Sequence, residues 1–404
     1  MSPYLKLFGL AVGAFAIGTE SYVVAGVLPT IASDLGVSVP VAGQLITAFA
    51  ITYALGSPLI AVTTAGVERR RLLLASIGTF GAFNLLAAFS HTYAVLLTAR
   101  IGMGLSAGTF MPAASAYAVT AIKAEQRGRA LAMIYGGLTV ALLVGAPIGV
   151  LLAGQFGWRS IFIGVATLVF AVLFILALTL KAVRHGGVAS LAERVAIARR
   201  SDVLATLVVT VLTITGVYTI YSYLAPFLQE TTHLTGNAVA LVLFLFGIGG
   251  TVGNFVSGSV VDRVGPLRVV TGALLGLVGL YATLSFVGVL VAPAAARWII
   301  VPLMALWGLI GWSFPSAQQA HIVTLAPKLA SITLSLNASA IYLGASFGAV
   351  LGSLVVAHGS VHELGWVGAA CEAVAFGLVR FSRRRRVVAE PAAKPLEEPL
   401  SKAA

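Results

Sequence analysis

LFGLAVGAFAIGTESYVVAGVLPTIASD, residues 7–34, is an apolar run long enough to cross a bilayer, and one carboxylate, Glu20, interrupts it. A hydrocarbon core of about 30 Å takes roughly 20 apolar residues as helix. An ionisable side chain inside it costs about 2.5 to 3.5 kcal/mol on insertion scales. Glu20 therefore reads as a functional residue. The alternative is a side chain that snorkels toward water or sits neutral against neighbouring helices.

Outward from that run the same composition continues. The 404 residues are 59% hydrophobic and 9% charged, with a mean hydropathy of +1.01, too apolar for a water-soluble globule of this length. Twelve runs of about 17 to 25 apolar residues read as spanning helices, and within them only Glu20, Arg100 and Glu372 are charged. The net charge of +12 does not point to nucleic acid as a partner. Of the 25 Lys and Arg, all but Arg100, Arg159 and Arg297 fall in alternate loops and tails on one face. The positive-inside rule places that face, and both termini, in the cytoplasm. The expected location is a bacterial-type inner membrane.

The first run lacks the small-residue cleavage site of a signal peptide and reads as a retained helix. Cys371 is the one cysteine, so an internal disulfide and a cysteine-rich metal site are excluded. His358 and His362, four apart beside Glu363, have a spacing that binds metal on a helix. They fall in a short loop between the last two spans and read as a solvated turn, so no metal site is expected. Neither a nucleotide loop nor a nucleophile constellation nor a cofactor fingerprint is visible, and no cofactor or enzymatic activity is expected.

The two halves of the chain align at a nearly fixed offset. Pro29, Phe49, Gly56 and Arg71 recur 197 residues later as Pro226, Phe246, Gly253 and Arg268. Gly108, Pro112, Gly145 and Gly149 recur 203 residues later as Gly311, Pro315, Gly348 and Gly352. The expected organisation is a six-helix half over 1–180, a cytoplasmic linker over 181–202, a second six-helix half over 203–386 and a disordered tail over 387–404. The linker contains VASLAERVAIARR, residues 188–200, which suits a short amphipathic helix on the inner membrane surface. Duplicated halves of equal topology suggest alternating access about a site between them.

Residues 258–268, GSVVDRVGPLR, follow the eighth span, and Asp262 and Arg263 offer charges that pair across a seam. This GxxxDRxG pattern resembles the signature loop of the major facilitator superfamily. The resemblance implies a latch for the outward-facing state at Gly258, Asp262, Arg263 and Gly265. The first-half counterpart, TTAGVERRRLLL at 63–74, has Ala65 and Gly66 in place of the acid and base. There the resemblance fails, and Arg69 to Arg71 read as topological charge.

The fourth span begins VLLTARIGMGLSAGTFMP, residues 95–112. Its Arg100-to-Gly104 element resembles the superfamily's fourth-helix motif, whose arginine is associated with proton coupling. At 1.5 Å per residue, Arg100 and Glu20 lie roughly 8 and 12 Å from the outer surface. If both helices line the central cavity, as they do in that family, the two can pair. In the fifth span, GGLTVALLVGAPIGVLLAGQFGWRSIF at 136–162, Gly145, Pro147 and Gly149 make a kinked, closely packed segment. It resembles the antiporter motif of drug:proton exporters. Residues 18–43, GTESYVVAGVLPTIASDLGVSVPVAG, resemble the same twelve-helix branch, whose members export chloramphenicol, arabinose-type sugars or purine nucleosides. In such exporters an intramembrane acid binds and releases the driving proton, which implies that role for Glu20 with Arg100. Expected substrate contacts are Tyr218 and Tyr221 in the seventh span, Trp312 and Gln318 in the tenth and Asn337 in the eleventh. Glu372 lies in the last span, which in this family tends to sit outside the cavity, and reads as peripheral and protonated.

The sequence thus points to an all-α membrane protein of twelve helices in two pseudo-symmetric halves. It reads as a monomer that exports a small organic molecule in exchange for protons. An uptake symporter or uniporter of the same fold, and a membrane sensor without flux, are the alternatives. A sensor leaves the repeat and the fifth-span motif unexplained.

Overall fold

The computed structural model describes residues 3–121, 126–182 and 190–389. The helices of the first six spans are α1 (Pro3–Asp34), α2 (Val39–Thr63), α3 (Arg69–Ala88), α4 (Tyr93–Ala121), α5 (Arg127–Val140), α6 (Ala146–Phe156) and α7 (Arg159–Thr179). A π-helical turn, Ala141–Gly145, joins α5 to α6, and together they form the fifth span. A short helix α8 (Leu191–Ala198) precedes α9 (Ser201–Tyr221), α10 (Leu224–Thr232), α11 (Asn237–Val264), α12 (Pro266–Leu290), α13 (Pro293–Leu325), α14 (Ala330–His358) and α15 (Leu364–Ala389). Twelve of these elements are long and apolar enough to cross a membrane, the shortest being α3 with 20 residues. At 1.5 Å per residue that helix measures about 30 Å, one hydrocarbon thickness. The protein is an all-α, multi-pass membrane protein, and an even span count puts both termini on one side, called here the terminus side.

Local sequence sets the element boundaries. Gly265 ends α11 with φ of +86°, a conformation that favours glycine, and Pro266 opens α12 with the fixed φ a first helical turn requires. The linker segment is shorter than expected, since Ser201 and Asp202 already belong to α9. Helix α15 runs through Val387–Ala389, so the first residues assigned to a disordered tail are helical. The remainder, 390–404, lies outside the described residues.

The duplicated residues make equivalent contacts. A methyl group on Gly104 of α4 would sit 2.4 Å from the Phe49 carbonyl oxygen of α2. One on Gly308 of α13 would sit 2.1 Å from the Phe246 carbonyl oxygen of α11. Phe49 and Phe246 are partners in the repeat, and each marks the point where two spans meet backbone to backbone. Likewise Gly145 and Gly149 close on α1, at Thr19 and Val23, while Gly348 and Gly352 close on α9, at the Thr215 and Thr219 carbonyls. Small residues permit such approach where lipid supplies no hydrophobic drive between helices.

Several contacts between the first six and last six spans lie on the side away from the termini. There Ser353 of α14 donates to the Pro40 carbonyl of α2 at 3.1 Å, Tyr221 donates to the Tyr22 carbonyl at 3.1 Å, and Gly26 of α1 faces Leu243 of α11. Deeper in, Gly247 of α11 lies against Leu142 and Leu143 of the π turn. On the terminus side α8 packs on α9 and α14 and touches α2. Its Ser190 accepts from the Glu193 amide while Glu193 accepts from the Ser190 amide, a reciprocal cap. Those hydrogen bonds hold the exposed Glu193 carboxyl below the usual carboxylate range. Arg194, on the buried face, reaches Ser335 of α14 at 2.9 Å.

Candidate functional site

The structure brings Glu20 and Arg100 together as an ion pair between α1 and α4, with side chains 0% and 1% exposed. The arginine is fixed from two further directions, both on α2. Its Nε donates to the Leu45 carbonyl at 3.0 Å, and its guanidinium carbon sits 4.6 Å from the centre of the Phe49 ring. A planar guanidinium that pairs with a carboxylate, donates sideways and stacks on a ring is work lysine does not reproduce. Two enclosed charges repay their desolvation only when well partnered, and removing one partner of such a pair typically costs about 3–5 kcal/mol.

Beside the pair stands a wall of rings from both sets of spans. Tyr22, two residues past Glu20, meets Tyr221 edge to face at 6.5 Å and Trp312 at 6.2 Å. Tyr221 continues to Phe246 at 5.6 Å, and Phe246 to Trp307 at 5.1 Å. On the other flank Tyr53 of α2 stacks on Tyr342 of α14, with centroids 3.5 Å apart. Edge-to-face and stacked rings of this kind add about 0.5–1.5 kcal/mol each beyond their buried area.

Of the five expected substrate contacts, Tyr218, Tyr221 and Trp312 belong to this wall. Gln318 and Asn337 stand apart from it. The Gln318 amide donates to the Thr206 carbonyl at 2.9 Å and to the Thr210 hydroxyl at 3.0 Å, and that hydroxyl donates to Asn337 at 2.8 Å. This knot ties α9 to α13 and α14. Thr210 and Tyr221 are eleven residues apart on one helix, so it lies roughly 16 Å along α9 from the wall.

In the fifth span, Pro147 has no N–H to return to the preceding turn, and the helix widens there. The Ala146 amide bonds the Ala141 carbonyl five residues back. Gly145 lies in this π turn, facing Thr19, one residue from Glu20. At the loop after α11, Asp262 and Arg263 are exposed and enter no ion pair among the described residues. No heavy atom lies within 4 Å of a methyl placed on Gly258.

Sequence reading missed several participants. Leu45 contributes only a backbone carbonyl, which leaves no signature. Tyr22, Phe49, Tyr53, Trp307 and Tyr342 look like ordinary membrane aromatics, although the repeat had singled out Phe49 and Phe246. Arg159, read only as an outer charge, bonds Asp34 at 2.6 Å and the Ser90 carbonyl at 2.8 Å, pinning the ends of α1 and α3 to α7. His358 Nδ1 pairs with the Leu354 carbonyl at 3.1 Å. Among the described residues no cluster of three or more His, Cys, Asp or Glu has metal-binding geometry. Glu372 is fully enclosed between α9 and α12, beside Thr213 and Tyr281.

The sequence matches the profile of the Major Facilitator Superfamily over residues 10–349 and again over 206–403. It is 32% identical over 374 residues to the uncharacterized MFS-type transporter YbcL of Bacillus subtilis (strain 168), covering 91% of this chain and 93% of that one. It is likewise 32% identical over 383 residues to the inner membrane transport protein YdhP of Escherichia coli O157:H7, covering 94% and 96%. The human organic anion transporter MFSD10 superposes with a TM-score of 0.70 at 15% identity, over 94% of this chain and 100% of that one. At that identity the likeness is one of fold.

Proposed function

The chain belongs to the Major Facilitator Superfamily of membrane transporters, and on that premise we propose that it exports a small organic molecule, drug-, sugar- or nucleoside-like, in exchange for protons. The observation that carries this reading is the enclosed Glu20–Arg100 pair beside an aromatic wall built from both sets of spans. It supports the following cycle. A proton arriving at Glu20 neutralises the carboxylate and releases Arg100, leaving a buried cation that the surrounding helices must re-accommodate. Proton and substrate thereby compete for one arrangement of the site, which couples their fluxes. The rings offer an amphipathic ligand flat apolar surface with hydroxyls at the edge.

The chain acts as a monomer in the inner membrane, with the arginine-rich terminus side in the cytoplasm. The seam closed away from the termini then keeps the site from the outside, and the Asp262–Arg263 loop, without an ion pair among the described residues, is a latch in its released state. Its partners are the organic substrate, protons and the bilayer.

The test uses inverted vesicles carrying the wild type, Glu20→Gln, or the double variant Glu20→Gln/Arg100→Gln, which strands no charge. The vesicles are energised, candidate drugs, sugars and nucleosides are added, and dissipation of the pH gradient is recorded. Substrate-dependent proton release by the wild type, lost in both variants, is expected. Release that persists in a folded double variant removes Glu20 from the proton path. A wild type that releases protons with none of these compounds overturns export of these classes.

A further inference from the structure

Glu372 is an enclosed carboxylate that the cycle above leaves unused. It sits eight residues into α15, about 12 Å from the start of that helix, and is 0% exposed. Helix α9 faces it with Thr213 and Gly216: a methyl on Gly216 would lie 2.9 Å from its Oε1 and 3.0 Å from the Gly368 carbonyl. Helix α12 faces it with Tyr281, whose ring also meets Trp307 of α13 edge to face at 5.5 Å. The titratable neighbours are Tyr281 from α12 and Cys371 from α15 itself. Among the described residues it enters no ion pair. Both carboxylate oxygens, the Thr213 and Tyr281 hydroxyls and the Trp307 indole nitrogen are buried there without a well-formed hydrogen bond.

Among the described residues no cation stands beside the carboxyl, and hydroxyls alone do not offset the desolvation of a charge, so the neutral acid is the form that fits. A residue with that liability at mid-span is a functional candidate by default. The α9–α15 contact sets Gly216 against the Gly368 carbonyl, with Ile220 of α9 packed over Gly368 and the Glu372 and Cys371 side chains packed over Gly216. Helix α9 links this contact to the central site. Two residues past Gly216 comes Tyr218, whose ring meets that of Tyr221 at 5.7 Å, and three further on comes Tyr221 of the aromatic wall.

We propose that Glu372 is a second proton-binding site, separate from Glu20, that holds its proton within the α9–α12–α15 packing and exchanges it with water. On unloading, the carboxyl O–H bond breaks, the proton leaves to water and the carboxylate remains. This stands without the identity of the substrate or the direction of its transport.

Infrared difference spectroscopy on the full chain in lipid vesicles, through pH steps and D2O exchange, tests it. The expected result is a carboxylic-acid C=O band that shifts in D2O, is lost reversibly on alkaline titration, disappears in Glu372→Gln and survives in Glu20→Gln/Arg100→Gln. No such band in the wild type means Glu372 is ionised, and a band inert to both D2O and pH means a sealed structural acid. Either result overturns the proposal. Should Glu372→Gln fail to fold, glutamate labelled with 13C at the side-chain carboxyl assigns the band in the double variant, where Glu372 is the remaining mid-span glutamate.

Discussion

Glu20 and Glu372 are both carboxylates at mid-span, and both are completely enclosed. One is matched by an arginine that a second helix holds in place from two sides; the other faces hydroxyls, glycines and an aromatic ring. The contrast teaches that burial alone does not fix what an intramembrane acid is. Its neighbours decide whether charge is kept and compensated or given up.

The comparison breaks most visibly at Arg100. Arg100→Met strands Glu20 in a site built for a charge pair, and the expected loss is about 3–5 kcal/mol of folding stability. Combining it with Glu20→Gln is expected to restore most of that, because the pair acts as a unit and its energies do not add. Denaturation of the detergent-solubilised protein measures both. A single Arg100→Met that costs less than about 1 kcal/mol, below the range for breaking a buried pair, would mean the two groups are not an ion pair in solution and would remove the basis of the contrast.

That pair was legible in the sequence because charge is scarce there. With three charged residues inside twelve apolar runs, Arg100 was the one cation at a depth near that of Glu20, and the resemblance that puts both helices at the central cavity let the two pair. The span count and the duplication were legible for a related reason: hydrocarbon imposes length, and close helix contact imposes glycine at fixed positions such as Gly145 and Gly348. The surroundings were not legible. The Leu45 carbonyl has no side-chain signature, and the rings of Tyr53 and Tyr342 meet only once α2 and α14 pack. Gln318 and Asn337 looked like cavity polars, yet their amides are engaged with Thr206 and Thr210 of α9. The π turn could not be placed either, since Pro147 announces a disturbed helix without saying how the freed carbonyls are satisfied.

A middle-sized effect sharpens the other side. Gly216→Ala puts a methyl 2.9 Å from Glu372 Oε1 and 3.0 Å from the Gly368 carbonyl, and the second contact is backbone that cannot swing away. Overpacking of this kind costs about 1–3 kcal/mol. The loss is expected to show as a lowered unfolding midpoint, with the Glu20–Arg100 pair untouched. Full stability in Gly216→Ala would mean α9 and α15 pack more loosely than described, and that Glu372 has water beside it.

The smallest effect is the most discriminating, because one substitution is made at both acids. Glutamine has nearly the shape of a neutral glutamic acid and cannot ionise. At position 20 it leaves Arg100 uncompensated, and the penalty falls within the same range of about 3–5 kcal/mol as loss of the arginine. At position 372 it replaces a neutral acid with a neutral amide that still offers hydrogen-bonding groups to Thr213 and Tyr281. The expected change there is within about 1 kcal/mol, the net worth of a single hydrogen bond. Parallel unfolding curves of the two variants give the difference directly. Near-equal penalties would mean that Glu372 carries charge after all and has a cationic partner, and the two regions would then be variations on one device.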